Sequence, residues 1–235
     1  MNKIFDLTLK ERKVFKENRN ILLIIIICCL MAILGSRNIE SFSGSFNNML
    51  SYGILITNFF ILGKGFEKNV NRVLYSGVYS RFQIFLSKLI SIIINSIIFY
   101  IALILGIIIV SIISNTGLDS MNFINSIKDL SYFILYSCSL ALSIFLITML
   151  ADNSNIGAIV TYICYFDLIL ALFANALQSS RLSDGVKTII ENLPFYSTNM
   201  MFQSKIYTFS QVSVLIIFSI VIFATNCYIL HKKEL

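Results

Sequence analysis

Six long stretches of this chain carry almost no charge, and they limit its fold more than any other feature. Residues 20–36, 41–63, 89–118, 130–151 and 206–230 hold no Asp, Glu, Lys or Arg, and 153–180 is interrupted only by Asp167. A helix rises about 1.5 Å per residue, so roughly 20 apolar residues cross the ~30 Å hydrocarbon core of a bilayer. The runs predict an all-α membrane protein with six transmembrane helices, near 20–36, 48–63, 89–114, 131–151, 156–177 and 211–230. The stretches between them are too short for a separate soluble domain, so residues 1–235 read as a single transmembrane domain.

Hydrophobic residues make up 57% of the chain and charged residues 13%, about half the charged share of a soluble protein. The net charge of +6 does not point to nucleic acid, because the basic residues flank apolar runs and form no continuous face. Cys28, Cys29, Cys138, Cys164 and Cys227 all fall inside the runs, without C-x-x-C or Cys/His spacing. That pattern predicts thiols acting as small hydrophobes, with no disulfide and no metal site. The only histidine, His231, stands near the C-terminus and gives no base for an intramembrane hydrolase. A cleaved leader is not expected, since Ile33-Leu34-Gly35-Ser36 is a poor small-x-small site.

Lys and Arg set the orientation. Residues 1–19 hold Lys3, Lys10, Arg12, Lys13, Lys16 and Arg19, and residues 64–88 hold Lys64, Lys68, Arg72, Arg81 and Lys88. The segments after the first, third and fifth runs hold Arg37, then Lys128, then Arg181, Lys187 and Lys205, and the tail holds Lys232 and Lys233. With both termini in the cytoplasm, 13 basic residues lie inside and 5 outside, the arrangement the positive-inside rule selects.

Residues 1–19 read as an amphipathic interfacial helix. Ile4, Leu7, Val14 and Phe15 share one face, while Lys3, Lys10, Lys13 and Lys16 meet headgroups or a partner. The same residues suit a basic anchor that only sets orientation. Residues 64–88 read as a helical hairpin projecting into the cytoplasm. Phe66, Val70, Val73, Leu74 and Gly77 recur at helical spacing, and Ser76-Gly77-Val78-Tyr79 breaks the helix. Ser80-Arg81-Phe82-Gln83 is then a capping box that starts the next one. In residues 178–210, Val186, Ile189, Ile190 and Leu193 at helical spacing, with the single proline Pro194, predict a short interfacial or re-entrant helix.

Two features inside the runs carry alternatives. Ala102 and Gly106 form a small-xxx-small pair, which reads as a close helix contact or as a chance pairing. Asp167 lies eleven residues after Ile156, about 16 Å along a helix and near the bilayer midplane. No Lys or Arg lies within a span, so the carboxylate needs a proton or a wet cavity. Asn58, Asn95, Asn175 and Tyr162 are its candidate polar neighbours. Either Asp167 is hydrogen-bonded glue between helices, or it faces a translocation path together with Asn58 and Asn175.

The six runs, the N-terminal helix and Phe66-Glu67…Leu74-Tyr75-Ser76-Gly77-Val78-Tyr79-Ser80-Arg81…Lys88 resemble the permease subunits of ABC-2-type ATP-binding-cassette transporters, of type V exporter architecture. Leu193-Pro194-Phe195 before the last run and the terminal Lys232-Lys233-Glu234-Leu235 also fit. The resemblance covers the whole chain, although Val78 or Tyr79 stands where the family often has Pro. It implies a cytoplasmic coupling hairpin between helices 2 and 3, in which Glu67, Arg72, Tyr75, Ser76, Gly77, Ser80, Arg81 and Phe82 meet an ATPase. It also implies two ATPase copies, a second permease subunit, identical or homologous, and a bacterial plasma membrane. The small size looks most like bacterial peptide exporters and the lantibiotic- and bacitracin-immunity permeases. These move amphipathic or antimicrobial peptides or hydrophobic drugs outward.

No G-x-x-x-x-G-K-[ST] occurs in the chain. ATP and Mg are therefore expected on the partner ATPase, with no cofactor in this chain and no enzymatic activity of its own. The alternative is a secondary carrier or channel. It would ordinarily need several ionisable groups in the membrane or broken helices, and Asp167 is the one such residue. An intramembrane enzyme would need a nucleophile–base pair or a metal cluster, and the sequence offers neither.

Overall fold

A computed structural model describes residues 2–14, 17–35, 39–63, 79–114, 123–204, 206 and 208–232. In chain order they form α1 (Asn2–Val14), α2 (Glu17–Gly35) and α3 (Ile39–Asn58), the last continued by a π-helical turn at Phe59–Gly63. Then come α4 (Arg81–Ser114), α5 (Phe123–Ala151), α6 (Ser154–Tyr165) and α7 (Leu168–Gln178). The chain ends with α8 (Asp184–Asn192), α9 (Pro194–Ser204) and α10 (Phe209–Lys232). No strand occurs among the described residues.

Among these residues, four helical stretches are long and apolar enough to cross a bilayer: Arg81–Ile113, Ile127–Ala151, Ser154–Gln178 and Phe209–Lys232. The protein is thus a helical membrane protein. The first apolar run forms the shorter helix Arg19–Leu34. The second is α3, which buries Ser43, Asn47 and Ser51 beside Phe42, Phe46 and Leu50.

α5 is the hub of the bundle. Its most apolar stretch is 67% buried, against 17% for α10, which leaves most of α10 on the surface. Phe133, Tyr136, Leu140 and Ile144 of α5 join a cluster with Phe46, Leu50, Phe99, Leu103 and Tyr165. Ala141, Leu142, Phe145 and Met149 join a second cluster with Leu62, Phe85, Ile92 and Ile222. In the second, the Phe85 ring stacks on Phe145 at 4.7 Å and on Phe223 at 5.8 Å.

Between helices, buried asparagines act as staples. Asn58 donates to the Ser137 carbonyl at 2.9 Å, Asn226 to Leu142 at 3.0 Å, Asn47 to Phe202 at 3.1 Å and Asn199 to Tyr165 at 3.1 Å. A side-chain amide bonded to a neighbouring backbone carbonyl ties two helices without any free polar group meeting lipid. The small pair also has its place: Ala102 is buried, and Gly106 lies directly under the Phe42 ring, where a Cβ would collide with it. The α5–α6 turn is tight because Asp152 takes a positive φ of 51°. Asn153 then caps α6, accepting from the Asn155 and Ile156 backbone N–H groups at 2.9 and 3.4 Å.

Candidate functional site

Where α1 meets α4, charged groups are buried. α1 turns Leu7, Thr8, Glu11 and Arg12 inward and leaves Lys10 and Lys13 exposed. The face it buries is therefore mixed, not the apolar face expected from Ile4, Leu7, Val14 and Phe15; the side chains of Val14 and Phe15 lie outside the described residues. α4 answers with a polar stripe at Ser87, Lys88, Ser91 and Asn95, all buried. Lys88, only 2% exposed, sits 3.6 Å from Glu11 Oε1, and Ser87 Oγ donates to Glu11 Oε2 at 3.0 Å. Thr8 Oγ1 donates to the Ser87 carbonyl at 3.1 Å. The Arg12 guanidinium donates to Ser91 Oγ at 3.1 Å and to Asn95 Oδ1 at 2.5 Å. Removing charges from water is costly unless they are paired and hydrogen-bonded, and this junction meets that condition.

The base of the predicted hairpin stands on the same junction. The Ser80 backbone N–H donates to Gln83 Oε1 at 3.0 Å, and the Gln83 N–H donates to Ser80 Oγ at 3.3 Å. This is the reciprocal capping box read from the sequence, and it starts α4 at Arg81. Arg81 is half-buried and Phe82 exposed. Tyr79 packs against Leu7 and Ile84, so α1 also braces the chain just before the cap. Glu67, Arg72, Tyr75, Ser76 and Gly77 lie outside the described residues.

Asp167 stands where the fifth apolar run breaks. The expected span at 156–177 lies within the membrane-long stretch Ser154–Gln178, but it is broken inside: α6 ends at Tyr165 and α7 begins at Leu168. Asp167 holds the N-cap position of α7 with φ −124° and ψ −101°, and its side chain makes no capping bond. Asp disfavours helix interiors and favours their starts, which accounts for the position of the break. The interruption frees backbone groups that must find partners inside a membrane domain. Asn199 of α9 meets this need by donating to the Tyr165 carbonyl, while its Oδ1 accepts from Tyr136 Oη and Gln203 Nε2, each at 3.3 Å. Tyr165 Oη lies 2.9 Å from Ser143 Oγ, and the buried Phe166 ring packs on Tyr52 at 5.0 Å.

The Asp167 carboxylate is exposed and has no hydrogen bond or ion pair among the described residues. It shares the α7 surface with exposed Leu168, Leu172 and Asn175. Asn58, the other candidate for a path, is 2% exposed and committed to Ser137. Asp167, at the N-cap, and Asn175 thus belong to one helix, and Asn58 belongs to α3.

α8 and α9 occupy the region predicted to hold a short helix around Pro194. Pro194 opens α9 at its first position, where its missing N–H is not needed. α9 then enters the bundle, burying Ser197, Thr198, Asn199, Met201 and Phe202. Phe202 stacks on Tyr136 at 4.0 Å. Sequence reasoning missed two parts of this arrangement, the Glu11–Arg12 face of α1 and the Asn199 staple. The first left a signal, since Ser87, Ser91 and Asn95 recur every four residues in an otherwise apolar helix. Among the described residues, no three potential metal ligands come together. No protein-family model matches the chain, and no curated protein matches it.

Proposed function

We propose that this chain is the membrane-spanning permease subunit of an ATP-driven exporter in a bacterial plasma membrane. It crosses six times with both termini in the cytoplasm, α2 and α3 supplying the first two crossings, with Arg19 and Arg37 reaching to the interfaces. A separate ATPase, in two copies, docks on the hairpin around Glu67, Arg72, Tyr75, Ser76, Gly77, Ser80, Arg81 and Phe82. A second permease subunit completes the path. The cargo is an amphipathic or antimicrobial peptide or a hydrophobic drug, and Asp167 meets its cationic group.

One observation carries this reading: the start of α4, to which the proposed hairpin would connect, is capped, and α1 clamps α4 through Glu11–Lys88 and Arg12–Asn95. A docking element on a rigid base can transmit movement of a bound partner into α4. A second reading, a secondary carrier, draws support from the broken α6–α7 run with its exposed carboxylate. Purification of the full chain from its native membrane separates the two. The exporter brings an ATPase with it, and transport stops when ATP is withdrawn. A carrier purifies without an ATPase and runs on an ion gradient. Within the exporter reading, Arg81→Glu should insert normally yet uncouple ATP hydrolysis from transport; unchanged transport at equal expression would remove the docking role. Orientation is read by thiol labelling on a background without the native cysteines. Thr188→Cys should react in intact cells, and Lys10→Cys only after permeabilisation.

A further inference from the structure

A cavity of about 240 Å³ lies where α2, the end of α3 with its π-helical turn, and α4 meet. Leu23, Ile56 and Phe60 form an exposed apolar rim, and Ile61 and Asn95 lie buried on the inner side. Because the rim belongs to apolar runs, the cavity opens toward lipid. Asn95 is 3% exposed; its Oδ1 accepts from Arg12, and its Nδ2 has no hydrogen-bond partner among the described residues. A buried amide N–H without an acceptor is unfavourable.

The polar residues of the lining are Asn20, Thr57 and Asn95. Exposed Arg19 precedes Asn20 at the start of α2. Arg12 lies behind Asn95. Asn95 is seven residues beyond Lys88, about 10 Å further along the helix. The volume is below the roughly 300–1,000 Å³ of pockets for drug-sized ligands, and it suits one hydrocarbon chain.

We propose that this cavity binds one acyl chain of an anionic glycerophospholipid, with an ester carbonyl oxygen accepting from Asn95 Nδ2 and the phosphate toward Arg19. The bilayer supplies this ligand, which matches an apolar slot with an unused donor and a cationic end. Occupancy also fixes Asn95 and, through it, Arg12, so the lipid steadies the clamp between α1 and α4. The inference needs a membrane domain and is independent of ATP-driven export.

The chain has no tryptophan, so Phe60→Trp places a single emitter at the rim. The full-length variant is reconstituted in vesicles of dibrominated phosphatidylcholine, and part of it is replaced by equally brominated phosphatidylglycerol. Quenching should rise with phosphatidylglycerol and report a preference of about five-fold, the contribution of one basic side chain near the surface. Ile217→Trp on the exposed face of α10 should show no preference between the lipids. Adding Arg19→Gln to Phe60→Trp removes the cationic end, so the preference should vanish; Asn95→Asp keeps an acceptor for Arg12 but removes the donor to an ester carbonyl that both lipids carry, so quenching by both should fall alike. Equal quenching by both lipids at Phe60→Trp overturns the proposal, as does a preference that survives Arg19→Gln or quenching that Asn95→Asp leaves unchanged.

Discussion

Charge enters the membrane domain in two ways. At the α1–α4 junction, Glu11, Arg12 and Lys88 are buried, and partners on the facing helix hold each of them. At the α6–α7 break, Asp167 is exposed and has no partner among the described residues. Both places interrupt an apolar pattern, yet their physics differs. A paired, buried cluster is closed: it fixes one arrangement of two helices, and each group in it depends on the others. An exposed carboxylate on an apolar face is open. In hydrocarbon it requires something beyond this chain's described residues, such as a proton, water, cargo or another subunit. The first region thus ties α1 to α4, while the second leaves a charge that the described residues do not pair.

The contrast breaks most visibly on substitution of the buried pair. Glu11→Leu removes the carboxylate that pairs with buried Lys88 and should destabilise the protein by about 3–5 kcal/mol, read as loss of thermal stability in detergent. Adding Lys88→Leu should restore most of that loss. Little effect from the single change would mean that the cluster does not hold α1. Asp167→Leu, by contrast, should leave stability nearly unchanged, since its carboxylate bonds to nothing among the described residues. A loss comparable to Glu11→Leu would erase the distinction between the two regions.

Function sharpens the same comparison. If Asp167 meets a cationic cargo group, Asp167→Asn should fold normally and lose transport of cationic substrates while neutral ones still pass. If it is glue to another helix, Asp167→Asn should retain transport and Asp167→Leu should lose it through poor assembly. Full transport by both variants would exclude both roles.

Smaller effects test the scaffold around each region. Ser80→Ala removes one half of the capping box and should cost about 1 kcal/mol, together with faster amide exchange in the first turn of α4. Asn58→Leu removes one interhelical bond and should cost about 0.6 kcal/mol with transport intact. A transport defect at normal stability would instead return Asn58 to the path.

Much of the frame was legible in the sequence because it follows from local pattern. The apolar runs gave the helices, Ser80 and Gln83 gave the start of α4, and the small residues at 102 and 106 marked a close contact. Val186, Ile189 and Ile190 gave the helix before Pro194. The candidate site was legible only in part. Asp167 was visible as a lone charge, but the break at that position was not, because the freed Tyr165 carbonyl depends on Asn199, 34 residues away in sequence. Asn58 stood out as a polar residue in a span, while its bond to Ser137 spans 79 positions.

The sequence alone determined that this chain is a helical membrane protein and that α4 starts after Ser80, because hydropathy, charge placement and capping act over a few neighbouring residues. Which charges are closed off and which stay open was decided by tertiary structure alone. Glu11 and Asp167 look alike as isolated acids, and only the packing of α1 on α4 supplies Glu11 with Lys88 and Ser87. The physical reason is that burial and pairing belong to the space between helices, where residues distant in sequence share a low-dielectric environment.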